Sequence, residues 1–217
     1  MRIIAGTARG RKLASPPGER TRPLLDRVRE ALFSILGDRV DGARVLDLYA
    51  GTGSIGLEAL SRGAASCVFV ERDRSALECL SANVAALGFG ERSRIVRGRV
   101  EEQLERPPEE RYELVFFDPP YSELRSPSRR RGTLDLARRL FAERLAATGL
   151  LAFHYPRDLL DATELAAIGD CDRRAWGTTE IALFEIGGVS SPPADSEGAA
   201  SRVDEDEPGA EGDRDAS

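Results

Sequence analysis

Residues 45 to 56 read Val45-Leu46-Asp47-Leu48-Tyr49-Ala50-Gly51-Thr52-Gly53-Ser54-Ile55-Gly56. A short apolar run breaks into a glycine-rich turn, and helically spaced apolar positions follow from about 54 to 62. The reading is a buried strand, a tight turn and a helix. The same alternation continues downstream. Cys67-Val68-Phe69-Val70 is a second apolar run, and Leu77, Leu80, Val84 and Leu87 mark one helical face ended by Gly88. Ile95-Val96, Leu114-Val115-Phe116-Phe117 and Leu150-Leu151-Ala152-Phe153 are further short runs, with a helix predicted over about 133 to 147 between the last two. Strands that alternate with helices need crossover connections, which gives a doubly wound, mostly parallel α/β sheet covered on both faces. Around Gly177, residues 173–176 and 179–186 read as a closing hairpin that places one antiparallel strand at the end of the order.

The flanks differ from this body. Residues 2–13 suggest a short strand or hairpin, and Pro16, Pro17, Gly18 and Pro23 keep the next stretch irregular. From Asp26, an N-cap, Val28, Ala31, Leu32, Ile35 and Leu36 follow helical spacing to Gly37, with Arg27, Glu30 and Ser34 opposite and Arg29 near the edge. The chain of 217 residues therefore divides into a basic extension and helix over 1–41, one domain over 42–186, and an acidic tail over 187–217 that has too little to bury and is predicted disordered.

The net charge of −6 is unevenly spread: the tail carries −7, and the first 39 residues carry +5. Arg9, Arg11, Lys12, Arg22, Arg27 and Arg29 make that N-terminal segment a candidate surface for a polyanion. Cys67, Cys79 and Cys171 show no CxxC spacing, so they read as reduced, buried thiols rather than a disulfide framework, and no metal site is expected. No run of eighteen apolar residues exists and Met1 to Gly6 lacks the form of a signal peptide, so a cytoplasmic protein with no membrane partner is expected; a monomer is expected as well.

Ligands of such sheets bind at the carboxyl ends of the strands. There, Ala50, Gly51 and Gly53 form a turn that lets backbone approach a ligand closely, and Glu71, at the end of the second strand, can accept both hydroxyl protons of a ribose. Gly51-x-Gly53-x-x-Gly56 with Glu71 twenty residues beyond Gly51 also fits a dinucleotide fingerprint, which leaves a nicotinamide-dependent oxidoreductase open. Asp47 weighs against it, because a carboxylate beside the loop suits a cationic ligand and repels a pyrophosphate.

The fourth apolar run ends in Asp118-Pro119-Pro120-Tyr121. Consecutive prolines fix φ and remove two N–H donors, which leaves the Asp118 and Pro119 carbonyls as acceptors. Asp118 adds carboxylate acceptors and Tyr121 a flat face on which a base can stack. A planar amine with two N–H donors is the matching substrate. Here the chain resembles the exocyclic-amine methyltransferases, with their Asp/Asn-Pro-Pro-Tyr/Phe signature. It is closer still to the bacterial 16S ribosomal RNA guanine-N2 methyltransferase family usually called RsmD.

That resemblance runs from residue 2 to about 186. It rests on Arg2 to Gly6, Arg9 to Leu13, Arg22-Pro23, Asp26 to Phe33, Asp47 to Gly53, Gly56 to Ala64 and Asp118 to Tyr121, in order. It implies a Rossmann-like, seven-stranded sheet, S-adenosyl-L-methionine held by the Asp47 to Gly53 loop and Glu71, and a guanine of small-subunit ribosomal RNA as substrate, within an assembly particle. Asp118, Pro119, Pro120 and Tyr121 are the expected catalytic positions.

The chain departs from the family at Leu24, where Thr is usual after Arg-Pro, and after the third strand, where Gly98-Arg99-Val100 replaces an Asp or Asn near the adenine. Arg99 has only donors and cannot accept from an adenine amine. Arg99 and the Val100 backbone are kept as cofactor contacts. An adenine-N6 methyltransferase shares the four-residue motif, and a non-catalytic RNA-binding module would share the basic segment. Arg125, Arg129, Arg130 and Arg131 read as a loop after the motif, solvated or phosphate-contacting. His154, the sole histidine, reads as a structural residue at the end of the fifth strand.

Overall fold

A computed structural model describes residues 1–16, 26–105 and 111–187. Seven strands form one sheet: β1 (Arg44–Leu48), β2 (Ser66–Glu71), β3 (Ser93–Arg97), β4 (Tyr112–Phe117), β5 (Leu145–Pro156), β6 (Cys171–Trp176) and β7 (Thr179–Glu185). Their order is β3-β2-β1-β4-β5-β7-β6, parallel from β3 through β5, with β7 antiparallel to both neighbours. This is the Rossmann-like, doubly wound α/β sheet expected. The antiparallel strand lies one place inside the edge, however, because the tight turn at Gly177 and Thr178 folds β6 back onto its outer side.

The helices are α1 (Asp26–Leu36), α2 (Ser54–Ser61), α3 (Arg74–Leu87), α4 (Val100–Glu105), α5 (Tyr121–Arg125), α6 (Pro127–Arg144) and α7 (Ala162–Ala166). Alternation along each strand sends successive side chains to opposite faces. Val45, Phe69, Phe116, Ala152 and Ile181 pack with Leu32 and Phe33 of α1 and with Leu57 and Leu60 of α2. Leu46, Leu48, Val70, Phe117 and Phe153 pack on the other face with Leu136 and Leu140 of α6.

Helix α6 starts at Pro127, well before residue 133, since proline at the first helical position is pre-set for the helix. Arg125 therefore lies on α5 and Arg129, Arg130 and Arg131 on α6, not in a loop. Arg130 donates to the Leu124 carbonyl and lies 3.6 Å from Glu164. At its far end α6 stops at Arg144, because Leu145 already pairs with Tyr112 as part of β5. Helices α4 and α7 carry too few apolar positions for periodicity to find them.

Residues 1–16 fold back on themselves with a single antiparallel bridge, Arg2 to Lys12, in place of the expected strand pair. Ile3, Ala8 and Leu13 from this segment enter the same core as α1 and α2. Arg29 is the main correction here. Its side chain is fully buried, lies 3.1 Å from Asp26 Oδ1 and 3.8 Å from Glu58, and donates to the Arg2 carbonyl, so it holds the segment from inside and offers nothing to a polyanion. Arg9, Arg11, Lys12 and Arg27 are exposed. Arg22, Leu24 and the tail over 188–217 lie outside the described residues. The three thiols are free, with Cys67 buried and Cys79 and Cys171 only half-buried. Among the described residues, no helix is long and apolar enough to cross a membrane.

Candidate active site

Because β1 to β4 run parallel, their carboxyl ends gather the glycine loop, Glu71, the Gly98 to Glu101 turn and the Asp118 motif on one edge. The loop after β1 is unusual backbone. Tyr49, Gly51 and Gly53 all adopt positive φ, at 59°, 56° and 85°. At Gly53 an added Cβ would come within 2.4 Å of Leu80, whereas at Gly51 it would meet nothing within 4 Å, so Gly51 faces open space. The Ala50 N–H donates to the Val70 carbonyl and the Gly53 N–H to the Ala50 carbonyl, which ties the turn to β2 and closes it.

Glu71 braces the same loop. Its Oε2 accepts from the Gly51 N–H at 2.8 Å, and its Oε1 from the N–H groups of Arg72 and Asp73 at 2.7 and 2.8 Å. A carboxylate has about four lone-pair sites, so one position, on Oε2, remains for a hydroxyl donor. A small pocket lies beside it, lined by Tyr49, Glu71, Arg99, Val100 and Glu101 among others. Arg99 is exposed with its guanidinium 3.5 Å from Glu101. Glu101 went unnoticed in the sequence; its position one residue into α4, just past β3, is the signal that could have found it.

Asp47 sits elsewhere than expected. It is 1% exposed, with Oδ2 accepting from the Gly56 N–H at 2.9 Å, so it shapes the loop from beneath and does not open to the pocket. The pleat of β1 explains this: position 47 shares the α2-facing side with Val45. Gly56 has to be glycine, since a Cβ there would lie 2.4 Å from the Phe69 ring and 2.9 Å from Asp47 Oδ2.

Burial raises the Asp47 carboxyl to about 7, opposed by the Gly56 hydrogen bond and aided by the charges of Asp118 and Glu71. A folded-state value above that of an exposed aspartate means that folding favours the protonated form. This contribution is full below about pH 4 and is lost as pH rises toward 7. Asp47→Asn keeps an acceptor for Gly56 and removes that loss. Its stability relative to wild type is expected to rise between pH 5 and pH 8, by on the order of 1–3 kcal/mol. Urea unfolding of both proteins at the two pH values checks this, and parallel pH dependences would refute it.

At the end of β4, Asp118 is partly exposed, with a side-chain exposure of 29%. Its Oδ1 lies 2.6 Å from His154 Nδ1. The other ring nitrogen, Nε2, is 3.1 Å from the Tyr121 hydroxyl, which is 3.3 Å from Thr179 Oγ1. The register of β4 on β5, with Phe117 opposite Phe153, brings His154 level with Asp118 on the same face. The histidine read as merely structural thus touches two residues of the motif. The Tyr121 ring remains half-exposed, with the Arg125 guanidinium 5.8 Å from its centroid.

A family model described as Conserved hypothetical protein 95 matches residues 1–185. YlbH of Bacillus subtilis, provisionally named an rRNA methyltransferase, is 40% identical over 125 residues, which is 57% of this chain and 68% of the relative. The Ribosomal RNA small subunit methyltransferase D of Escherichia coli is 42% identical over 121 residues, 56% of this chain, and the match spans 60% of that relative's length. Among solved structures, the Escherichia coli protein yhhF superposes with a TM-score of 0.71 at 33% identity, covering 86% of this chain and 97% of the other.

Proposed function

We propose, since the chain belongs to the Conserved hypothetical protein 95 family, that it methylates the exocyclic N2 amine of a guanine in small-subunit ribosomal RNA with S-adenosyl-L-methionine. The methyltransferase names of the relatives support the RsmD resemblance read from the sequence and weigh against the nicotinamide reading. The observation that carries the reaction is the rigid Asp118-Pro119-Pro120 turn at the end of β4, one strand from the glycine loop. The small-subunit substrate is supported by the name of the Escherichia coli relative, and the amine by the acceptor geometry of the turn.

Glu71 fits the ribose of the cofactor, the Ala50, Gly51 and Gly53 backbone its amino-acid end, and the Val100 backbone with Arg99 the edge of its adenine. Bound there, S-adenosyl-L-methionine supplies a methyl group on a sulfonium. Asp118 Oδ2 and the Pro119 carbonyl accept the two amine N–H bonds, which turns the nitrogen lone pair toward that methyl. Positioning and electrostatics of this kind account for most of the expected rate gain. Tyr121 stacks on the base. As positive charge develops on nitrogen, the Asp118 carboxylate stabilises it, and the released proton passes to Asp118 or to water.

The test is nucleoside mass spectrometry of small-subunit RNA from a strain lacking the gene, incubated as naked RNA and as assembly particles, with enzyme and cofactor. N2-methylguanosine is the expected product. N6-methyladenosine, or no methylated nucleoside, would overturn the reading.

The N-terminal segment fits the RNA backbone. Replacing Arg9, Arg11 and Lys12 together with Ala should weaken RNA binding and flatten its dependence on log salt by roughly one unit for each phosphate no longer neutralised. Cofactor affinity should not change. Arg11 contributes least, because its guanidinium already donates to the Ala86 carbonyl at 2.7 Å. Filter binding over a salt series measures this, and an unchanged RNA affinity would refute it.

A further inference from the structure

We propose that His154 is a positioning residue for methyl transfer, holding the amine acceptor and the stacking platform in register through its two ring nitrogens. The inference rests on the proposed methyltransferase reading and goes beyond its residues. An ionised Asp118 only accepts, so the short contact at 2.6 Å requires a proton on His154 Nδ1. In the neutral ring Nε2 is then an acceptor, and the Tyr121 hydroxyl at 3.1 Å donates to it. Thr179 Oγ1, 3.3 Å away, can in turn donate to the tyrosine oxygen. The chain of donors runs in one direction, Thr179 to Tyr121 to His154 to Asp118.

This direction has a consequence for the substrate. With Oδ1 occupied, Asp118 cannot rotate freely, and Oδ2 is the oxygen left for the amine. The same imidazole fixes the hydroxyl end of Tyr121, and with it the tilt of the ring on which the base lies. Acceptor and platform come from different elements, the end of β4 and the start of α5, and the β5 histidine hydrogen-bonds to both. His154 is itself only 7% exposed, so its orientation is set by packing between β4 and β7. A group oriented in this way can hold its partners within the small tolerance that methyl transfer demands.

Amide side chains separate the two hydrogen bonds. Asn places its N–H close to where imidazole Nδ1 lies, so His154→Asn can still donate to Asp118. Gln reaches about as far as Nε2, so His154→Gln can meet Tyr121 and leaves Asp118 loose. His154→Phe keeps a ring and makes neither bond. Single-turnover transfer to small-subunit RNA is expected to fall by about 10- to 100-fold in the Phe variant. The Gln and Asn variants each keep one of the two bonds and should lie between Phe and wild type, with Asn, which still holds Asp118, the faster. The dissociation constants for S-adenosyl-L-methionine and for RNA should be unchanged in all three.

As the sole histidine in the chain, His154 also gives one set of imidazole nitrogen signals. In 15N-histidine-labelled protein the Nδ1–H form is expected, and Asp118→Ala should shift it. An inactive wild type would sink the methyltransferase reading and leave the NMR result to judge the hydrogen bond. An active wild type with wild-type rates in all three variants would overturn the role of His154. So would losses explained by weaker cofactor or RNA binding, rescue by Gln in place of Asn, or an Nε2–H ring.

Discussion

Asp118→Ala is expected to bind S-adenosyl-L-methionine as wild type does and to transfer methyl about 10²-fold more slowly or worse, the scale for losing a group that acts mainly in the transition state. The separation follows from the geometry. Asp118 meets His154 on one oxygen and, in the proposed complex, faces the amine with the other, while the groups proposed to hold the cofactor lie on β2, in the β1 loop and in the turn after β3. Asp118→Asn keeps one oxygen acceptor. Its amide nitrogen, however, would face either the His154 Nδ1–H or the amine, both donors, so its rate should lie between those of Ala and wild type. Glu71→Ala should behave in the opposite way. It removes the acceptor that fixes the Gly51 N–H and the N–H groups of Arg72 and Asp73, so cofactor affinity should fall before the chemical step does. Calorimetry for the cofactor, with single-turnover transfer for each variant, measures both quantities. Wild-type transfer by Asp118→Ala, or failure only because the cofactor no longer binds, would refute the assignment of the motif.

The contrast between Asp118, His154 and Asp47 shows what sequence can and cannot carry. The four-residue motif is contiguous, and proline geometry is local, so its acceptor character is visible without a fold. The bond from His154 to Asp118 crosses 36 positions and exists only because β5 lies beside β4 with Phe153 opposite Phe117. The alternation of strands and helices announces those neighbours but not their register. Asp47 fails for a related reason. Its spacing to the glycines is legible, but which face of β1 it occupies follows from the pleat, and that face belongs to α2. Arg29 is the clearest case: helical spacing puts it at the edge of the apolar stripe, and only the fold of residues 1–16 over that edge turns an exposed cation into a buried one.

That burial leads to the largest stability effect expected, at Glu58. The side chain is fully buried on α2, and its carboxylate accepts from the N–H groups of Ile4 at 2.7 Å and Ala5 at 3.0 Å and from Arg62 Nε at 2.7 Å. Arg29 Nε lies 3.8 Å away, and among the described residues both it and Arg29 Nη1 are buried without a hydrogen-bond partner. Burial already lowers the Arg29 pKa, and the negative charge of Glu58 is the leading influence that offsets this. Removing Glu58 would leave two backbone donors and Arg62 without their acceptor, and the buried Arg29 guanidinium with only Asp26 and the Arg2 carbonyl to balance it. The close fit of the segment prevents easy relaxation, since a Cβ at Gly6 would sit 1.8 Å from the Ser61 carbonyl oxygen. Breaking one side of a buried pair commonly costs about 3–5 kcal/mol. Glu58→Ala should therefore lose about that much in urea unfolding, and Glu58→Gln somewhat less. Adding Arg29→Met to Glu58→Gln removes the underbalanced buried charge, so the double variant should be more stable than the two single losses sum to. Where Glu58→Gln still folds, loosened residues 1–16 should weaken RNA binding through Arg9, Arg11 and Lys12 while leaving cofactor affinity intact. A Glu58→Ala protein within about 1 kcal/mol of wild type would show that the N-terminal segment is held by its apolar side chains, Ile3, Ala8 and Leu13, and not by this buried charge cluster.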